Sequence, residues 1–235
     1  MKHNVLVVDD EVEITDAIEI YLMNEGINVF KAYDGIEALD ILTTEEVHLI
    51  IMYVMMPKLD GLRTTFKIRE EKNIPIIMLS AKSEDTDKIL GLNMGADDYI
   101  TKPFNPLELI ARVKSQLRRY MTLGEFNQEG MEKKKDKIVC GGLVLENAAK
   151  EISVDGQVIK VTPSEYKILE LLMNNCGRVF SADEIFTSIW GEESFNSDNT
   201  VAIHVRRIRG KIEINPKEPK YLKVVWGIGY KLEKQ

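Results

Sequence analysis

Five short apolar runs alternate with amphipathic stretches through the first half of the chain, and this alternation limits the fold more than any other feature. The runs are NVLVV (4–8), NVFKA (28–32), HLIIM (48–52), IPIIML (74–79) and DYIT (98–101). Bounded by turn residues, they read as five short strands. Ile14, Ala17, Ile18 and Tyr21 recur at helical spacing after the first run, and Leu109, Ile110, Val113 and Leu117 do so after the last. Strand and helix in repeated alternation predict a doubly wound α/β fold, a five-stranded parallel sheet covered by helices on both faces. Ligands of such sheets lie outside the carboxyl ends of the strands.

The pattern breaks after residue 121. Residues 122–136, TLGEFNQEGMEKKKD, have no periodicity and carry glycine and charge, so they read as a linker between a first domain over 1–121 and a second over 137–235. The second domain opens with the β-prone pieces KIVC, LVLE, EISV and QVIKV, and Asp155-Gly156 gives a hairpin signal. Helix starts follow. Thr162, Pro163 and Glu165 supply an N-cap, a first-turn proline and a capping box, and Ser181 with Glu184 repeats the box. A third helix is predicted over about 199–211, and the chain ends in two β-prone strands joined around Gly227. Three helices and a terminal hairpin predict a winged helix-turn-helix.

Charge separates the halves. Residues 1–121 hold 14 Lys+Arg against 21 Asp+Glu, a net of −7, and residues 122–235 hold 17 against 17. Within the neutral half, VAIHVRRIRGK (201–211) has four cations and no acid, which suits local contact with a polyanion. No apolar run reaches the roughly 18 residues that span a bilayer, and the first segment meets Asp9 and Asp10 too early for a signal peptide. The chain is therefore expected in the cytoplasm, with no membrane partner. Its two cysteines, Cys140 and Cys176, suit a reducing compartment and have no Cys or His at ligand spacing.

In the predicted sheet, Asp9 and Asp10 lie at the end of the first strand, position 53 at the end of the third, Ser80 at the end of the fourth and Lys102 beyond the fifth. Adjacent carboxylates suit Mg²⁺, a hard ion that takes oxygen ligands. A lysine and a hydroxyl suit phosphoryl oxygens. What is missing is a nucleophilic carboxylate. In HLIIMYVMMPKLDG (48–61) the place is held by Tyr53.

VLVVDDE, MMPKLDG, IIMLSAK and GADDYITKPF together resemble the receiver domains of two-component response regulators, whose fold is flavodoxin-like. VTPSE and TVAIHVRRIRGKI resemble the OmpR/PhoB effector domain, and KPFNPLELIARVKSQLRRY with VVWGIGYKLEK looks most like the VanR-type regulators of vancomycin resistance. The resemblance implies a phosphoacceptor aspartate at position 53, loaded by a sensor histidine kinase. It implies Mg²⁺ held by Asp10, by Asp9 through water and by the main-chain oxygen of Met55. Ser80 and Tyr99 would act as switch residues, Lys102 would contact phosphate, and the Lys102-Pro103 bond would be cis. It also implies a receiver homodimer that pairs Lys88 with Glu108, Asp97 with Arg119 and Asp98 with Arg112 across its axis.

The chain departs from that pattern at the acceptor. A phenol with a pKa near 10 is protonated at neutral pH and a poor nucleophile, and the metal loses an anionic ligand. The chain is either an atypical receiver or a single-residue variant of an ordinary one, and Mg²⁺ is expected to bind weakly. The bulky ring is expected to point outward from the strand end. In the second domain, Thr200, His204 and Arg207 are expected on the DNA-facing side of the basic helix. Arg206 and Arg209 flank them, Lys211 follows, and Lys223, Trp226, Tyr230 and Lys231 stand at the wing, Trp226 where many relatives carry arginine. The reading is a DNA-binding transcription factor acting on promoter DNA, not an enzyme. The alternatives are a phosphate-independent adaptor and an Mg²⁺-dependent phosphotransfer enzyme.

Overall fold

The apolar runs become strands almost residue for residue. The computed structural model describes residues 3–81, 95–124, 137–191 and 197–234. Its chain forms two compact units, Met1–Thr122 and Leu123–Gln235.

In the first unit, β1 (Asn4–Val8), β2 (Asn28–Ala32), β3 (Leu49–Tyr53), β4 (Ile76–Ser80) and β5 (Asp98–Thr101) form one sheet in the order β2-β1-β3-β4-β5. Every pairing is parallel. Val5 to Val8, Leu49 to Met52 and Ile76 to Leu79 are fully buried, as a sheet covered on both faces requires. β4 starts two residues later than IPIIML suggests, after Pro75, which has no N–H for a ladder. Helices α1 (Val12–Met23), α2 (Gly35–Thr44), α3 (Gly61–Glu71) and α4 (Pro106–Gly124) complete the described part. Ile18 and Leu22 of α1 and Leu109, Val113 and Leu117 of α4 pack with Val5, Val7, Leu49 and Ile51 on one face. α2 and α3 lie against each other, and α2 also packs on β1 and β2. Asp34 caps α2 by accepting from the Ile36 and Glu37 amides, and Asp60 caps α3 by accepting from the Arg63 amide. α4 runs three residues past the expected seam at 121, and residues 125–136 of the expected linker lie outside the described residues. Because β2 and β3 flank β1 on opposite sides, the strand order reverses there, and it is outside the carboxyl ends of β1 and β3 that sheets of this kind bind ligands.

In the second unit, β6 (Lys137–Cys140), β7 (Leu143–Glu146), β8 (Glu151–Val154) and β9 (Gln157–Ile159) form an antiparallel meander. Asp155 and Gly156 both have positive φ, 49° and 86°, the mirror-image turn that a tight hairpin prefers. Helices α5 (Pro163–Asn174), α6 (Ala182–Trp190) and α7 (Ser197–Ile212) follow, then the hairpin β10 (Leu222–Val225) and β11 (Gly229–Leu232). Both capping boxes form, Thr162 with Glu165 and Ser181 with Glu184. Ile168, Leu169, Leu172, Ile185, Phe186, Val201, Val205 and Ile208 are shared in one core. Phe180 exchanges two main-chain hydrogen bonds with Tyr230, of 2.9 and 2.8 Å, so the segment entering α6 lies along β11. That approach needs glycine at 229: its φ is 155°, and a Cβ there would stand 2.0 Å from the Phe180 carbonyl oxygen.

The cysteines differ from expectation. Cys140, at the end of β6, and Cys176, in the turn after α5, are joined as a disulfide with Cα atoms 6.5 Å apart. The meander and that turn both pack against the same core, which brings together two sulfurs 36 positions apart in sequence.

Candidate receiver pocket and nucleic-acid interface

Asp9, Tyr53, Ser80 and Lys102 gather at the carboxyl ends of β1, β3, β4 and β5, as the sheet order requires. Asp9 and Ser80 are buried, Asp10 and Met55 are exposed, and Tyr53 and Tyr99 are half-buried. The Lys102-Pro103 peptide is cis. Lys102 is the hub. Its Nζ lies 2.7 Å from Asp9 Oδ2 and 3.1 Å from Glu11 Oε1. It also stands 3.8 Å above the centre of the Tyr53 ring, a cation–π contact. Burial works against the lysine's charge, but Asp9 and Glu11 hold its pKa above the ordinary value. Burial raises the Asp9 carboxyl despite the Lys102 bond, and burial likewise raises the Tyr53 phenol.

The outward pose expected for Tyr53 is therefore corrected. The ring packs against the core cluster of the α1–α4 face and under Lys102, where a cation and an apolar wall both favour an aromatic face. The donor set does not fit a resident Mg²⁺. One expected ligand position holds an aromatic ring, and a second, Asp9, is already neutralised by an ammonium at 2.7 Å. Among the described residues no group of three or more His, Cys, Asp or Glu side chains is disposed to hold a metal.

In the second unit the basic helix is turned differently from the sequence expectation. His204 is fully buried, its ring tilted against Trp190 at 5.4 Å. Arg207, its side chain 11 % exposed, pairs with Glu165 Oε1 at 3.0 Å, and Lys211 pairs with Glu165 Oε2 at 2.6 Å. Burial alone would lift the Glu165 pKa, but Arg207 and Lys211 hold it below the carboxylate range. Arg209 Nε donates to the Leu222 carbonyl at 2.9 Å. In the free chain His204 is therefore a packing residue and Arg207 an ion-pair residue, where the sequence reading places both on an open face. Spacings of three and four carry 204, 207 and 211 onto the side that meets α5 and α6, where a buried acid waits. Ala202, Arg206, Gly210 and Lys211 are exposed, Lys211 while reaching back to Glu165, and Thr200 is half-buried. At the hairpin, Lys223 donates to the Pro219 carbonyl and Lys231 pairs with Glu233 at 3.1 Å. Tyr230 is half-buried, and Trp226 is 91 % exposed. The sequence reading missed Glu165 as a buried counter-ion, having seen it only as a cap, and it missed Glu213, whose lone acid after a basic run was the available signal.

Residues 5–114 match the response regulator receiver domain, and residues 156–232 match the transcriptional regulatory protein C-terminal domain. The chain belongs to the OmpR/PhoB-type response regulators. It is 46 % identical to the regulatory protein VanR of Enterococcus faecium and 42 % identical to VanRc of Enterococcus gallinarum, each over the whole of both chains. The crystal structure of DrrB, an OmpR/PhoB homologue of Thermotoga maritima, is 29 % identical, with a TM-score of 0.51 over 99 % of this chain and 100 % of that one.

The response regulator's acids before and at the start of β5 have partners within their own chain. Asp97 is fully buried, bonds Arg69 at 2.8 Å and accepts from the Ile76 amide at 3.0 Å. Asp98 is buried and takes Arg112 Nη1 at 3.0 and 3.1 Å, while Glu108 takes the same guanidinium at 2.9 Å. Arg119 is buried and donates to Ser115 at 2.9 Å, and burial pulls its pKa down to about 10. Within this single chain Asp97 is met by Arg69 and Asp98 by Arg112. A buried carboxylate is costly until a cation reaches it, and α3 and α4 of the same chain supply those cations. Lys88 lies outside the described residues.

Proposed function

We propose that this regulator binds promoter DNA through its effector unit while its receiver takes no phosphate at position 53. The observation that carries the reading is the Lys102 ammonium seated on the Tyr53 ring and bonded to Asp9. An acyl phosphate needs a carboxylate at that place, and Tyr53 offers a phenol that burial makes still less acidic. The regulator works in the cytoplasm beside a sensor histidine kinase that finds no acceptor there. Its receiver stays monomeric in dilute solution, because Tyr53 blocks the phosphate signal that would populate a dimer. The chain is a regulator and catalyses no turnover. Arg206 on α7 and Trp226 on the wing meet the duplex.

The test is labelling with radioactive acetyl phosphate in magnesium, on the parent chain and on Tyr53→Asp. The expected result is no label on the parent and a base-labile acyl phosphate on the revertant, with tighter magnesium binding in the revertant. Stoichiometric label on the parent, or equal magnesium affinity in both, would overturn the reading of the pocket. Sedimentation of the parent at micromolar concentration checks the monomer.

A further inference from the structure

Glu213, the residue after α7, is buried, and its carboxylate accepts three consecutive main-chain amides. Oε2 takes Lys220 N at 2.6 Å, and Oε1 takes Tyr221 N at 2.9 Å and Leu222 N at 2.8 Å. One turn earlier, Arg209 Nε donates to the Leu222 carbonyl at 2.9 Å. Leu222 is the first residue of β10 and is fully buried. Both its N–H and its C=O are therefore held by side chains of the basic-helix segment. Its neighbour Tyr221 adds a third anchor, donating its hydroxyl to Asp155 at 3.1 Å in the β8–β9 turn. A carboxylate collecting several N–H donors makes charge-assisted bonds, stronger than neutral ones.

We propose that Glu213 and Arg209 are positioning residues that fix the wing to the basic helix, so that Arg206 and Trp226 meet a duplex as one rigid reader. Their role is to hold the wing's main chain. Glu213 acts through three backbone amides and Arg209 through one carbonyl. A wing released from them keeps its side chains but must be ordered at each binding event, and that ordering is subtracted from affinity. The loss falls on sequence-specific contact. Phosphate contacts are common to every duplex and carry no sequence information of their own, so binding to unselected DNA is less affected. The inference rests on DNA binding by this unit and goes beyond it.

The experiment uses the full-length chain and a random-sequence duplex pool, sequenced before and after capture. Glu213→Gln replaces a carboxylate by an amide with a single acceptor oxygen, and Arg209→Lys keeps the charge but loses the planar fork. Leu143→Ala, a core truncation in β7, serves as the stability control, and all captures run below every variant's melting transition. The parent is expected to enrich a motif with a central segment and flanks. Both wing variants are expected to enrich the centre with blurred flanks. They should lose about tenfold on the parent's best sequence, within the worth of one mismatched base pair, while affinity for the unselected pool holds. Leu143→Ala should enrich the full motif. An unchanged motif in both wing variants would overturn the inference, as would equal loss on the unselected pool or blurred flanks in Leu143→Ala. A parent that enriches no sequence would instead remove the DNA-binding reading on which it rests.

Discussion

Arg206 and Arg207 are neighbours of equal charge with different work. Arg206 faces solvent, whereas Arg207 is bound to the buried Glu165. Arg206→Ala is expected to leave the melting temperature in place and weaken DNA binding by about 1–3 kcal/mol. Arg207→Ala leaves a buried carboxylate with one partner fewer and is expected to destabilise the effector unit by about 3 kcal/mol. Thermal melts and DNA titrations on the same preparations separate the two, and weakened binding by Arg207→Ala with unmoved melting would show the ion-pair assignment to be wrong. Glu165 also sets a pH dependence. Its folded pKa lies below its ordinary value of 4.5, so its contribution is present above that value and fades as pH falls through the lower folded one. Acid titration of unfolding should show this loss below about pH 4.5, and Glu165→Gln should remove that part of the slope.

At the scale of elements, strands and caps were legible where one residue type does one local job. NVLVV and DYIT give β1 and β5 without a shift, and the two capping boxes start α5 and α6 where Thr162 and Ser181 stand. The meeting of Asp9, Tyr53, Ser80 and Lys102 followed from strand ends alone. The facing of α7 did not. Its residues 201, 205, 208 and 212 form one helical stripe, and 204, 207 and 211 form another beside it. Only the acid on α5 draws Arg207 and Lys211 of the second stripe toward the core, and nothing in the local sequence names a partner 46 positions away. The partner of Asp97 hid for the same reason, since Arg69 reaches it from another element. Glycine in the wing separates turn from packing. Gly227→Ala meets open space at a φ of 71° and is expected to cost about 1–2 kcal/mol from the left-handed backbone. Gly229→Ala would drive a Cβ into the Phe180 carbonyl and is expected to cost more than that. Chemical denaturation of both variants checks the order, and equal costs would remove the close-approach argument.

For the whole molecule, the charge asymmetry has a measurable result. Residues 1–121 carry a net of −7 and residues 122–235 a net of zero. A chain beginning at residue 122 is expected to bind nonspecific duplex more tightly than the full chain at low salt, because the receiver's field opposes the polyanion. The gap should close as ionic strength rises and screening shortens to roughly 10 Å or less. Fluorescence anisotropy across a salt series reads it, and a gap that persists in high salt would mean contact and not field.

Lys102 bridges the end of the first strand and the segment after the last strand of the sheet, with the Tyr53 ring beneath it. A switch filled from within by its own side chains has no slot for a message. On the reading proposed above, such a protein reports its own abundance: mass action at the promoter replaces the kinase, and transcription tracks how many copies of the chain the cell holds. Its regulation then moves upstream, to whatever sets its synthesis and its lifetime.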